Sequence, residues 1–306
     1  MLTYLVRRTI DVIPVLFVIT LLAFMVFYFD GSDPVVMIAG ENATPQVEAN
    51  IRARLGLDQP AHMQYLTFVG NILQGDLGTS YRSRQPVADH VLPAFRATLI
   101  FTSVALVLMV VIGLPAGILS ATRPYSWLDS IVMSTVLLGL SAPIFWVGIV
   151  LMYIFAFQLG LLPVSGFYSW QGVILPAVTL SLQYGAIVAR ITRASMLDAL
   201  ENDYIRTARA KGVADQIVFY GHALKNASLP IVTTIGLQVG SMLGGTILIE
   251  TVFAWPGVGR MLVNAILERD APIVQAGVLL IAVAVLILNL LTDVLYGLLD
   301  PRVRLA

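Results

Sequence analysis

Apolar residues in this chain do not alternate with polar ones but run in long blocks. Residues 12 to 29 are apolar apart from Pro14 and Thr20, with Arg7 and Arg8 just before them. Comparable runs fall at 98 to 121, 131 to 157, 173 to 190, 229 to 250 and 275 to 298. Each is close to the roughly 20 residues that an α-helix needs to cross a bilayer. Six transmembrane helices are therefore expected. The first is a membrane span rather than a cleaved leader, because no small-x-small pattern follows Phe29.

Two intervals between the runs carry a different pattern. In the loop 30 to 97, Thr44 followed by Pro45 marks a helix start, Val47, Ile51 and Leu55 share one face, and Gly56 marks the stop. A second helix is expected from Pro60 to about Leu73. Too few large apolar residues are present for an independent core, so this interval predicts a small helical cap outside the membrane. The interval 191 to 228 is the longest polar and basic stretch in the second half. Asp203 can cap a short helix with Tyr204, Ile205 and Ala208 along one side and Arg206 and Arg209 on another. Gly212 offers a left-handed stop, and Asp215 can open a further helix. A helix, a glycine break and a second helix make a knob suited to docking on another protein.

Composition agrees with a membrane chain. Of 306 residues, 58% are hydrophobic and 12% charged, and the mean hydropathy is +0.86. Lys plus Arg and Asp plus Glu are 18 each, so no net charge argues for nucleic acid. Cysteine is absent, which removes disulfides, thiolate metal sites and cysteine nucleophiles together. There is no phosphate-cradling G-x-x-x-x-G-K-[ST] loop, and His62, His90 and His222 stand apart from any metal-ligand spacing. No catalytic residue, bound cofactor or metal site is expected in this chain.

Small and polar residues inside the spans carry what remains. Gly236, Gly240 and Gly244 recur every four residues on one face of the fifth span, the spacing that brings two membrane helices into backbone contact. The neighbour could be this subunit or a partner. Gly113 and Gly117 around Pro115, and Pro143 in the third span, read as packing points and kinks. Gln183, Gln238, Asn289 and Asp293 are polar at membrane depth, with Glu250 near an outer end. Gln183 and Gln238 are the better pathway candidates, since an uncharged amide can meet a polar solute without holding it too tightly. Asp293 reads first as half of a structural ion pair.

The stretch from Tyr204 to Lys225 resembles the cytoplasmic "EAA" loop of ABC-transporter permeases. Gly212 stands at the motif glycine, Ala208 at its second alanine and Leu224 at its leucine, while Arg206, Thr207 and Lys225 replace its glutamate, first alanine and proline. The version here, with Arg209, Lys211 and His222, is similar to the B-type permease of dipeptide, oligopeptide, glutathione and nickel importers. Further matches to that branch are Gly31-Ser32-Asp33-Pro34, Leu55-Gly56-Leu57-Asp58-Gln59-Pro60, Gly75-Asp76-Leu77-Gly78, Leu162-Pro163-Val164-Ser165-Gly166 and Trp255-Pro256-Gly257-Val258-Gly259-Arg260.

The resemblance implies an all-helical type I importer permease in the inner membrane. Its partners would be a second permease of the C type, two ATPase subunits that bind the ATP, and an extracytoplasmic substrate-binding protein. The chain would divide into 1–29, the first span; 30–97, the extracytoplasmic loop; and 98–306, a five-helix core holding the coupling segment 191–228. The solute implied first is a di- or oligopeptide, with glutathione or nickel as alternatives. A secondary transporter would explain six spans but leaves the basic knob without a role, and a membrane enzyme would need a catalytic dyad that the chain lacks.

Basic residues set the orientation. With the N-terminus inside, Arg7, Arg8, Arg123, Arg190, Arg193, Arg206, Arg209, Lys211, Lys225, Arg302 and Arg304 fall on the cytoplasmic side, against Arg260 and Arg269 in the short loop 251 to 271. Both termini and the 191–228 segment are then cytoplasmic. A topology reporter fused after residue 85 is expected outside the cytoplasm and one after residue 215 inside; both on one side would refute the six-span arrangement.

Overall fold

The computed structural model describes residues 2–29, 34–40, 43–167 and 169–299. Gly31, Ser32 and Asp33 of one expected motif, and Arg302 and Arg304 of the charge count, lie outside them. The described elements are helical: α1 (Leu2–Phe29), α2 (Pro34–Ala39), α3 (Pro45–Leu55), α4 (Ala61–Leu73), α5 (Val87–Thr122), α6 (Trp127–Ser141), α7 (Ile144–Leu151), α8 (Ile174–Leu200), α9 (Asp203–Ala210), α10 (Leu224–Val252), α11 (Val258–Leu267) and α12 (Ala271–Leu299). Wider π-type turns extend α7 over Met152–Gln158 and lead into α10 over Ile217–Ala223. Among the described residues, β pairing is confined to one isolated bridge, Thr79 with Pro86.

Among the described residues five helices are long and apolar enough to cross a membrane, and six when the bent pair at the third expected span is counted as one. Instead of one rod over 131 to 157, α6 and α7 meet at 108°. The cause is local: Ala142 is extended, with φ −79° and ψ 134°. The ring of Pro143 excludes the helical region for the residue before it. Elsewhere the helices outrun the apolar blocks, as α8 does by continuing to Leu200. Backbone hydrogen bonding does not stop where hydropathy falls.

Contacts divide the chain into two compact units, Leu2–Thr98 with Pro256–Leu286, and Leu99–Trp255 with Ile287 onward. In the first, α4 lies along α1. The Tyr65 hydroxyl is 2.9 Å from Thr20 Oγ1, and its ring meets Phe17 and Phe24 with centroids 6.1 and 5.6 Å apart. Thr44 does precede α3, though its hydroxyl makes no capping bond, and Gly56 closes the helix in the left-handed region at φ +69°. The core of this unit joins the start of α5, Val87, Val91 and Ala94, to Val258, Leu262 and Ala265 of α11 and to Ile273, Val274 and Ala276 of α12. The spacing in α11 is i, i+4, i+7, an apolar stripe inside what hydropathy marks only as a short loop.

The second unit is built around α8. Thirteen of its residues are buried, most of them small: Ala177, Ser181, Gly185, Ala186 and Ala189 among them. A Cβ on Gly113 of α5 would sit 2.5 Å from the Gly185 carbonyl, and one on Gly117 would sit 2.5 Å from the Ala189 carbonyl. The two backbones touch, and α5 stays helical through Pro115. On another side the Tyr184 hydroxyl donates to the Ser241 carbonyl of α10 at 3.0 Å.

Near one end of α8 lies a buried ion pair. Asp129, 4% exposed, receives Arg193 Nε at 2.8 Å and Nη2 at 2.7 Å. It also accepts from Ser120 Oγ of α5 and from the Tyr125 N–H at 2.8 Å. Three helices are fastened through one carboxylate. The stripe of α10 glycines, by contrast, divides. A Cβ on Gly236 would stand 2.1 Å from the Thr292 methyl of α12, and one on Gly240 would stand 3.2 Å from Asn289 Oδ1. Gly244 faces nothing within 4 Å.

Packing within the subunit thus accounts for two of the three glycines. Gly236→Leu should cost about 1–3 kcal/mol, Gly240→Leu less and Gly244→Leu little, because added volume must displace a β-branched side chain only at the first. Thermal unfolding of the detergent-solubilised protein checks the order. Asp129→Ala should cost about 3 kcal/mol by leaving Arg193 without its bidentate partner, while the double variant Asp129→Leu with Arg193→Met recovers most of that loss. A double variant as unstable as the single one would refute the ion pair as the cause.

Candidate functional site

The basic stretch after α8 forms a folded unit. Asn202, extended at φ −73° and ψ 151°, occupies the position before α9, and its Nδ2 donates back to the Asp198 carbonyl at 2.8 Å. Asp203 is thus the first helical residue and not the cap. Its carboxylate is 3.6 Å from Arg206 Nη1, with both side chains over four-fifths exposed, so this pair adds little stability. The Thr207 hydroxyl donates to the Asp203 carbonyl at 3.0 Å.

The expected apolar side of α9 holds for Ile205 and Ala208, which are buried, and fails for Tyr204, which is 40% exposed. Ile205 and Ala208 pack on Ala121 of α5, Met196 and Ala199 of α8, and Val218, Ala223, Ala227 and Ile231. Ala208 therefore faces the chain itself. Its helix position is one turn from Ile205 and shares that buried stripe. The outward face of the segment includes Tyr204, Arg206, Thr207, Arg209 and Lys211, together with Asp203 and Ala210.

Gly212 ends the helix at φ +75°. Its N–H donates to the Arg209 carbonyl at 2.9 Å, and the Val213 N–H to the Ala208 carbonyl at 3.2 Å. Such paired bonds satisfy the last carbonyls of a helix when the following residue is left-handed. Arg209 Nε lies 3.8 Å from Asp215 across the turn. From Asp215 the chain is helical again and passes through the π-type turns into α10 without a break. The second helix of the knob is thus the foot of the fifth span. His222 is half-buried there, Leu224 packs against the α9 cluster, and Lys225 is exposed.

The four polar candidates sit on three helices. Gln183 on α8, Gln238 on α10 and Asp293 on α12 are half-buried, whereas Asn289 is exposed opposite Gly240. Among the described residues, no three His, Asp or Glu side chains gather as a metal site. Sequence reasoning passed over the Asp129 cluster, whose partners are 9 and 64 positions away. It also passed over Asp270, buried at the start of α12, which accepts from Ser80 Oγ, the Tyr81 N–H at 3.1 Å and the Arg82 N–H at 3.4 Å. Burial, with a smaller push from Asp270, holds the Tyr81 phenol above its ordinary pKa. An acid ahead of a helix start was the one local signal available for Asp270.

Several known proteins share this arrangement. The chain is 44% identical over 304 residues to the glutathione transport system permease protein GsiC of Escherichia coli O6:H1, covering 99% of both chains. It is 43% identical, with the same coverage, to the protein of that name in Escherichia coli K12. Among solved structures, the inward-facing methionine ABC transporter MetNI aligns with a TM-score of 0.60 at 19% identity, covering 69% of this chain and 96% of that one. An amino acid ABC transporter crystallised with histidines aligns at 0.53 and 17% identity, covering 69% and 92%. These two show the fold, a type I importer permease arrangement. Residues 1–102 match the N-terminal part of binding-protein-dependent transport system membrane components, and residues 113–305 match their inner membrane component. The chain is thus a multi-pass inner membrane protein and not an enzyme; it works with a second permease, ATPase subunits that bind the ATP, and a substrate-binding protein. It belongs to the family of binding-protein-dependent transport system inner membrane components.

Proposed function

We propose that this chain forms half of the membrane pathway of an ATP-driven importer for small peptides, glutathione foremost among them, with a C-type homologue as the other half and two ATPases beneath. The observation that carries the solute is the similarity along 99% of both chains to permeases named for glutathione transport. Dipeptides and nickel are the readings that the solute test separates from it. Both termini and the α9 knob face the cytoplasm in this proposal, on the charge asymmetry of the short loops, and segment 30–97 faces outward.

The packing of α9 supplies a mechanism. Ile205 and Ala208 bind the knob to α5, α8 and the foot of α10, so displacement of the knob by closing ATPases is passed to three helices at once. Tyr204, Arg206, Thr207, Arg209 and Lys211 form the contact face, while His222, Leu224 and Lys225 continue the segment into α10. Gln183 and Gln238 are offered as pathway-lining groups, with Asn289 and Asp293 behind them.

In the reconstituted complex, glutathione-loaded binding protein should stimulate ATP hydrolysis more than binding protein offered a dipeptide or a nickel chelate. Gly212→Val should abolish that stimulation while the protein still inserts and assembles. The site has open space for a side chain, so the cost is the left-handed φ alone, about 1–3 kcal/mol for a β-branched residue. Undiminished stimulation in Gly212→Val would refute the segment as the coupling element, and stimulation by the dipeptide or nickel alone would overturn glutathione.

A further inference from the structure

The Asp270 cluster holds a cavity in place. Residues 79 to 86 make a tight hairpin closed by the Thr79–Pro86 bridge and by the Ser80 N–H bonded to the Gln85 carbonyl at 3.0 Å. Asp270 grips its near strand, and Ser83 Oγ lies 2.9 Å from His90 Nε2 of α5. Two non-glycine residues flank the arrangement in the left-handed region, Arg84 at φ +58° and Arg269 at φ +55°. Strained backbone of this kind persists where surrounding structure holds a site in shape.

Between this hairpin and α11 lies a cavity of about 370 Å³, within the range of small-molecule sites. Ala265 and Ile273 give it an apolar floor, and Arg82, His90, Arg260, Asn264 and Glu268 stand around it. The charges divide into committed and uncommitted ones. Asp270 already accepts three hydrogen bonds from the hairpin. Neither the Arg82 guanidinium nor the Glu268 carboxylate has an ion-pair partner among the described residues, and they are not paired with each other. Two uncommitted charges of opposite sign on the lining of one cavity match a ligand that carries both signs.

We infer that this cavity is a holding site for the zwitterionic end of the transported solute, its carboxylate toward Arg82 and its ammonium toward Glu268. The inference rests on the proposal that the solute is a small peptide and that this part of the chain faces the side where a binding protein releases it. The γ-glutamyl end of glutathione, with carboxylate and ammonium on one carbon, has this chemistry. A guanidinium and a carboxylate bind such a group by charge-assisted hydrogen bonds, stronger than neutral ones. The apolar floor takes the methylene chain.

The test uses the full complex with benzoylphenylalanine in place of Asn264, and binding protein loaded with tritiated glutathione or a tritiated dipeptide. Irradiation should transfer label to this chain. Arg82→Gln and Glu268→Gln should each lower the label about tenfold, the loss expected for one charged hydrogen-bond partner. If irradiation instead joins this chain to the binding protein and leaves it unlabelled, the cavity is a protein-docking surface and the inference is overturned. Uptake that continues without any labelling at position 264, or labelling indifferent to both charge substitutions, overturns it as well. If the parent complex takes up neither solute, the peptide reading itself fails and this inference with it.

Discussion

Close approach of small residues around α8 is the constraint on which the second unit depends. Inside a bilayer there is no hydrophobic force to press one helix on another, so association relies on van der Waals contact and on polar bonds between helices. Gly113 and Gly117 lie against the backbone at Gly185 and Ala189, and a methyl group at either glycine would meet a carbonyl oxygen. The alternation of glycine, alanine and serine along α8 lets α5, α6, α7 and α10 all reach it. Its buried fraction, 61% of the most apolar window, is the highest of the five straight spans.

The ion pair between Asp129 and Arg193 completes that packing at one end. A buried pair of this kind gives little net stability against apolar residues of equal size, but it is costly to break and demands one geometry. Here it fixes α6 to α8 ten residues before α9 begins. Contacts of Ile205 and Ala208 then seat α9 on the same set of helices. The knob is therefore an extension of the packed bundle, with an outward face rich in Arg and Lys.

The first unit meets a different demand. Residues 43–97 pack on α1 and on 256–286: Tyr65 on Phe17 and Phe24, and Val87 and Val91 on α11. Asp270 adds the polar counterpart, saturating the hairpin's donors where water is excluded.

By itself the sequence determined what depends on neighbouring residues. Hydropathy located six spans, Pro45 and Gly56 bounded α3, Pro143 marked the break in the third span, and Gly212 marked a left-handed stop, because proline sterics and glycine freedom act within a turn of where they stand. The outward or inward direction of Ala208, the division of the glycine stripe into two packed positions and one open one, and α11 inside an apparent loop were decided only by tertiary structure. So were the partners of Asp129 and Asp270, 64 and 190 positions away. A side chain's face and a carboxylate's donors are set by which helices come together, and that choice sums many contacts between segments distant in the chain, none of them visible at a single position.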